Sequence, residues 1–589
     1  MWRAPDLSPR SRAILSFWVA LSACSGDKQG DDGAGQSGTG ASSGASAVGG
    51  ASGHAGTSIS NAGRGAAGAT GGAGAAGGSG GTSPRMTGGA TSASGSSGTT
   101  TAGGAGGNAG GNATGGDANA SGAGVGGNSV GGTRSGGAGG TGAGAGGAAG
   151  ARAGSGGSAG QMMDLPPGVT AMFPGPNATN VCRDPQLRVT FPAPPTLGNS
   201  GTIQVLTESG TVAASVNLAT MTVTDTIGGM SFSLERRAYV DGNTAVIYLP
   251  SKGLSYGQSY HVNVPAGAIV PSGGGSFSIT GSSAWKFSTV AAAPASLANV
   301  TVALDGSGAF CSLQGALDAL PSNNSQASTI TVNSGKYHEI VYWKSKSNVT
   351  VHGQSRKETI LLGTNNNDMN PSTKSRALVG ADSSSGLVFE NLTIHNLTPQ
   401  GGSQAEALRL EGCTHCTIRD ADILSLQDTL LWSGTLYAKN CYIAGNVDFI
   451  WGTGAAYFDQ CEIKTVGRSG YVVQSRNGTS GYGYVFVDSK ITADSGITGS
   501  VLARIDVSAY PGSHVAYINC ALGTHISSAG WTITGGSPSA SLRFWEYQST
   551  DLDGNALNVS GRLSGSTQLS STQAASMRDP TVVLGGWQP

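Results

Sequence analysis

Two aspartates stand 20 residues apart in apolar surroundings, Asp428 in "LQDTLLW" and Asp448 in "NVDFIWG", within a chain of which only 11% is charged. Carboxylates brought together in such a setting cannot both ionise freely, because repulsion and desolvation push one of them toward its neutral form. The result is a carboxylate beside a carboxylic acid, the division of labour that a nucleophile and a general acid/base require. Turn-capping by ordinary strand-end aspartates is the alternative. Two amides accompany the pair: Gln427 directly precedes Asp428, and Gln404 lies 24 residues before it. Uncharged donors of this kind suit an oxyanion developing on a carbonyl. Arg504, in "SVLARIDV", is the nearest cation candidate, able to hold one aspartate ionised through a bidentate contact. Cys413 and Cys416 form a C-x-x-C, but no second such pair or His pair accompanies it, so no metal site is expected.

A repeating fold would bring these residues together. From Asn299 onward, short phrases ending in an aliphatic residue recur: "LTI" at 392, "CTI" at 416, "CYI" at 441, "CEI" at 461, "SKI" at 489 and "CAL" at 520. Strand-sized pieces at a period in the twenties, with irregular insertions, are the mark of a solenoid. With Val/Ile-rich strands and almost no helical periodicity, the expected fold over 296–589 is a right-handed parallel β-helix. The amphipathic "LQGALDALP" at 313–321 is expected to cap its N-terminal end. Successive coils lie about 4.8 Å apart. Asp428 and Asp448 then become vertical neighbours, as do Cys441 and Cys461, each 13 residues after its aspartate. The cysteines could form a disulfide or a reduced ladder.

Upstream, residues 165–292 carry short β-branched runs, "QLRVTF", "TIQVLTES", "TAVIYLP", "SYHVNVP" and "AWKFST", punctuated by Gly and Pro. They imply an all-β sandwich. Residues 25–164 are Gly/Ala/Ser/Thr-rich and lack the apolar side chains to offset ordering entropy, which predicts a disordered tether. The N-terminus has Arg3, Arg10 and Arg12 ahead of an apolar run too short to span a bilayer, as in a secretory signal. That run closes on Leu21-Ser22-Ala23-Cys24, which resembles a bacterial lipobox and implies residues 1–24 as signal, lipidation of Cys24, and, with Ser25 following, an exported protein anchored at the outer membrane. If Cys24 carries lipid, seven cysteines remain and at least one is unpaired. A formal net charge of −1 with no basic run argues against nucleic-acid binding.

The phrases "GKYHE" (335–339), "QAEAL" (404–408), "LQDTL" (426–430), "VDFIWG" (447–452) and "LARIDV" (502–507), with the closing "AGW", "FWEY" and "GGW", resemble in order the motif series of pectin methylesterases. "GLSYGQSYHVNVPAGAIV" followed by "WKFST" resembles bacterial Ig-like modules, implying a spacer or a weak carbohydrate contact. The first resemblance implies hydrolysis of galacturonate methyl esters in pectin by a monomer without metal or cofactor. It implies Asp448 as nucleophile, Asp428 as acid and then base, Gln427 and Gln404 on the oxyanion, and Arg504 orienting Asp448. Trp451, Trp432 and Phe449 become candidates for contacting the sugar, with plain packing as the other reading. Where the family usually has "GRPW" this chain has Ala503-Arg504-Ile505-Asp506, so a stacking tryptophan is replaced by an anion. Asp506 would repel a de-esterified neighbouring unit and favour highly methylated stretches. The rival readings are a lipid-anchored protein that binds pectin without turnover and a polysaccharide-cleaving β-helix. The latter would need an "NTD", "DD" and "GHG" series that the chain lacks.

Overall fold

The computed structural model describes residues 165–589. The expected signal segment with Cys24 and the Gly-rich tether lie outside the described residues. Two facing sheets come first. One orders Ala171–Phe173, Gln186–Thr190, Thr244–Tyr248 and Ala238–Asp241; the other orders Ala178–Val181, Lys286–Thr289, Ser259–Asn263, Thr202–Thr207 and Val212–Asn217. Leu187, Val189, Val205, Ile247, Val262, Trp285 and Phe287 fill the space between them. The alternation is visible in Gln186–Thr190, where Leu187 and Val189 are fully buried and Arg188 between them is not. A separate hairpin, Thr222–Ile227 paired with Met230–Glu235, belongs to neither sheet. Its two-residue turn is Gly228-Gly229, both at positive φ, the geometry that suits the twist of paired strands. The sequence reading missed this hairpin, although "TIGGMS" carries its signal.

From Asn299 the chain coils. A sixteen-stranded and an eight-stranded sheet run along it, and their strands pair in parallel. In the eight-stranded sheet Leu361, Ile394, Ile423, Ile443, Ile463, Ile491 and Leu522 stack in one buried column. This is the expected β-helix, with one correction to its register. The phrase at 416–418 is not a rung of this column: Ile418 pairs with Phe389 and Ala438 in the larger sheet, and Ala421-Asp422-Ile423 takes the rung. The strand Leu408–Arg419 runs long through a bend, so two inward isoleucines follow each other within one coil.

Three residues before each column member from Ile394 onward the backbone turns through the left-handed region: Asn391, Asp420, Asn440, Gln460, Asp488 and Asn519, with φ between 49 and 56°. Asn and Asp accept this conformation most readily among non-glycine residues. Below the column, the helix Leu313–Ala319 buries Leu313, Ala316 and Leu317 on the first coil, as expected of a cap. Ser312 closes its first turn by accepting from Gly315 N at 3.0 Å.

Cys441, Cys461 and Cys520 are free and buried. Their thiols point at carbonyl oxygens one coil back, those of Ile418, Ala438 and Phe486, at 3.4, 3.5 and 3.4 Å. Of the two arrangements left open for Cys441 and Cys461, the reduced ladder is the one present. Cys413 and Cys416 are joined to each other, and Cys182 is joined to Cys311 across a Cα separation of 5.9 Å. The latter bridge ties the sandwich to the start of the β-helix. Beside it, Asp184 accepts from Cys311 N at 3.0 Å and Ser312 N at 2.8 Å.

Candidate active site

The strands Leu430–Lys439 and Val447–Asp459 pair residue for residue, Leu430 opposite Ile450 and Leu431 opposite Trp451. Just ahead of this run Gln427 bridges Val447, and Asp428 N donates to Val447 O at 3.0 Å. Asp428 and Asp448 therefore sit one rung apart. Both are left-handed, with φ of 66 and 47°, at the bend where each coil enters its long strand. Such strain on non-glycine residues persists only where the surroundings impose it, often at functional sites.

The two carboxyls have different neighbours. Asp448 faces the Arg504 guanidinium, whose Nε lies 3.2 Å from Oδ1 and whose Nη2 contacts Oδ2. Gln474 Nε2 lies 3.4 Å from the same Oδ2. Gln474 is oriented in turn by Arg476, which donates to its Oε1 at 2.9 and 2.7 Å. Asp428 receives a single donor from Arg376, at 2.9 Å. That guanidinium is already engaged by Glu406, fully buried, through contacts of 3.0, 3.0 and 2.8 Å. Burial, with the negative charge of Glu406 next, pushes the Asp428 carboxyl well above the usual carboxylate range; Arg376 and Arg476 oppose the shift and Asp448 adds to it. The guanidinium of Arg376 is held charged because Glu406 and Asp428 outweigh its desolvation.

Gln404 and Gln427 lie on adjacent coils, both half-buried, with Ala405 N donating to Gln427 O at 3.1 Å. Gln404 also accepts at its carbonyl from Asn367 N at 2.9 Å. Trp451 lies on the outward parity of its strand, between Leu431 and Gln474 on the neighbouring rungs. The guanidiniums of Arg476 and Arg376 cover its ring at 4.5 and 5.7 Å. Trp432 and Phe449 do not contact the groove. Trp432 has the opposite parity and packs inward on Tyr484 at 4.2 Å and Phe458 at 5.9 Å, and Phe449 is fully buried. For these two, packing is the role the fold allows.

Arg376, Glu406, Gln474 and Arg476 went unnoticed in the sequence. Glu406 stands inside "QAEAL", and a lone glutamate among apolar residues signals a buried partner; Arg376 follows a polar run whose length hides it. Asp506 is exposed and bonded within its own turn, accepting from Ser508 N at 2.9 Å and Ser508 Oγ at 2.6 Å, which holds its carboxyl below the usual range. Among the described residues one group could gather on a metal, Cys182, Asp184 and Cys311, and two of its members are spent in a disulfide.

A parallel β-helix with two unlike carboxyls a rung apart on one face has the groups of a hydrolase using a nucleophile and a general acid/base, and comparison narrows the class. The pectinesterase family model matches residues 299–582, and that of bacterial Ig-like domains matches 164–289. Probable pectinesterase 56 of Arabidopsis thaliana is 34% identical over 247 residues, 40% of this chain and 85% of the relative. Pectinesterase 31 of the same plant is 32% identical over 207 residues, 33% of this chain and 65% of that protein, so the match spans just under two thirds of its length. The solved pectin methylesterase from carrot is 28% identical, with 49% of this chain and 93% of that one aligned at a TM-score of 0.45. The chain belongs to the pectinesterase family of carboxylic ester hydrolases.

Proposed function

We propose that the protein hydrolyses methyl esters of galacturonate units in pectin, releasing methanol and pectate. The observation that carries the reading is the asymmetry of the carboxyl pair: Asp448 braced by Arg504 and Gln474, Asp428 favoured neutral one rung away. Asp448 attacks the C6 carbonyl. The tetrahedral oxyanion takes hydrogen bonds from the side-chain amides of Gln427 and Gln404. As the C–O bond to the methoxy group breaks, Asp428 gives its proton to the departing oxygen, and methanol leaves an acyl group on Asp448. Asp428, now a carboxylate, removes a proton from water; the hydroxide attacks the acyl carbon, Asp448 departs as its anion, and Asp428 is left protonated for the next cycle. No metal or cofactor enters these steps. Arg504 keeps Asp448 aligned, stabilising its anion before attack and again as it departs from the acyl carbon.

Methanol release from esterified pectin by the full chain tests the reading. New reducing ends or unsaturated products would instead indicate chain cleavage, and binding without product a binding module. The lipobox at Leu21–Cys24 supports attachment to a membrane through lipid on Cys24, and Cys24→Ala should free the protein from the membrane fraction. With Asp506 charged and exposed at the end of the strand that carries Arg504, rates should be higher on highly methylated pectin. Equal rates on low-ester and high-ester pectin would remove that expectation.

The pH profile offers a sharper test. Asp428 must be protonated for methanol to leave, so activity should fall as pH rises through its raised pKa. Glu406→Gln removes the charge that most disfavours ionisation after burial itself, and it frees Arg376 to favour the Asp428 carboxylate. Asp428 then releases its proton at lower pH, and the ratio of activity at pH 8 to pH 5 should drop by roughly threefold or more. An unchanged ratio would separate Asp428 from the alkaline limb.

A further inference from the structure

The hairpin 222–235 leaves the sandwich and lies on the first coils of the β-helix. Ile227 and Phe232 are buried in the β-helix core, not in the core of their own module, and the Phe232 ring stands 5.8 Å from that of Tyr342. The turn fits closely as well: a Cβ on Gly228, already at φ 55°, would collide with the Tyr342 carbonyl oxygen. The hairpin is therefore seated rather than loosely apposed.

Its edge is bonded to a long irregular segment, 364–378, which contains Arg376. Ser233 N donates to Asn370 Oδ1 at 2.8 Å, and Asn370 Nδ2 donates back to Ser233 O at 2.9 Å, so the side-chain amide serves as an added strand partner. The same Nδ2 donates to Asn365 Oδ1 at 2.7 Å. Asn365 Nδ2 then donates to the carbonyls of Ser375 at 2.8 Å and Ala377 at 2.7 Å, the residues on either side of Arg376. Asn365 and Asn370 are both buried, so each of these bonds would be costly to leave unmade. Long segments without secondary structure inside a compact fold are usually functional. This one is fixed by its asparagines, and it ends on the guanidinium that contacts Asp428.

We infer that the hairpin 222–235 of the Ig-like module is a working part of the ester-hydrolysing site, and that Asn370 is a positioning residue linking it, through Asn365, to the aim of Arg376 at Asp428. The inference rests on the functional reading above for what Asp428 does, but the link itself is a matter of bonding. It gives the module a role in turnover that a passive spacer or carbohydrate contact does not have. Asn370 touches no reacting atom. If its role were only to hold the two modules together, its loss would lower stability and leave turnover alone.

The full chain tests this with two variants that break the link from opposite sides. Asn370→Ala removes it at the segment, and Gly228→Ala lifts the hairpin tip from Tyr342. Each should lower kcat on pectin about tenfold at nearly constant KM, because misplacing a group that orients the acid affects the transition state more than binding. The double variant should be no slower than the slower single, as expected when two changes act through one connection. Beside Arg376, the charged groups facing Asp428 are Glu406, Asp448 and Arg476, and neither variant touches them. A shift in the Asp428 titration, followed by NMR with a labelled carboxyl, therefore reports Arg376. A kcat within twofold of the parent with Asp428 titrating unchanged, or effects of the two changes that multiply, would overturn the inference. A folded parent that releases no methanol, yet whose Asp428 titration moves in both variants, would retire the pectin reading and leave the link standing.

Discussion

Asp448→Asn should reduce methanol release by about ten-thousand-fold or more while leaving a folded protein that still binds pectin. The size follows from replacing the anionic carboxylate that attacks with a neutral, non-nucleophilic amide; loss of a nucleophile costs about as much as loss of the whole catalytic group. The fold should survive because asparagine keeps an oxygen for Arg504 and Gln474. Arg504, whose side chain is 28% exposed, can share its unbalanced charge with water while still resting on the Tyr471 ring at 4.4 Å. Asp448 is buried, but the charge left behind is that of Arg504, which reaches water, so the loss costs on the order of 1–2 kcal/mol. Binding should persist because the rest of the groove is untouched. Activity within tenfold of the parent would show that another group attacks. The same variant separates the esterase from a binding module: a module loses nothing when Asp448 changes.

The carboxylate pair was legible because a β-helix turns sequence period into vertical distance, and the 20-residue gap is repeated by the cysteines. Arg504 was legible through the phrase "LARIDV", which resembles the family's motif. What did not show is whatever the fold brings in from outside the repeat. Arg376 comes from an irregular segment with no period of its own, and its link to Asp428 spans 52 residues. Glu406 reads as one more residue of an apolar phrase until its side chain is found fully buried against that arginine. Sugar contact and plain packing stayed open for the aromatics because parity is invisible without register: Trp432 and Trp451 look equivalent in sequence, yet Trp432 pairs with Gly452 and Trp451 with Leu431, which puts them on opposite sides of the wall. The same uncertainty moved one rung from Ile423 to Ile418. A better sequence signal was present in the polar residue three positions before each column member from Ile394 onward, since Asn, Asp or Gln there marks the left-handed bend of those coils. The hairpin was legible as a hairpin, from its Gly-Gly turn. Its destination was not, because alternating residues such as Ile227 and Phe232 record only that a face is buried, not which domain buries it.

Asp428→Asn should slow methyl-ester hydrolysis by about 10³-fold, and the dependence on leaving group should reveal why. Asparagine resembles the neutral carboxyl that burial and Glu406 already favour, so Arg376 keeps an oxygen to bond and the surrounding network has no new charge to accommodate. What disappears is the transferable proton. General acid/base contributions of this kind are worth about 10²- to 10⁴-fold. Methoxide is a poor leaving group and needs that proton, whereas a trifluoroethoxide leaves without it. On a trifluoroethyl ester of the same polymer, acylation of Asp448 should therefore recover in the variant. The second step should not, because no base remains to activate water, and the acyl group should accumulate. The expected trace is a burst of one alcohol per protein followed by slow turnover, with the bound acyl group visible by mass. The falling alkaline limb should also vanish from the burst, since the group that loses its proton there is gone. Equal slowing of methyl and trifluoroethyl esters without a burst would make Asp428 a structural partner of Arg376. The loss of rate would then lie in a displaced Arg376–Glu406 pair, and Glu406→Gln should reproduce it.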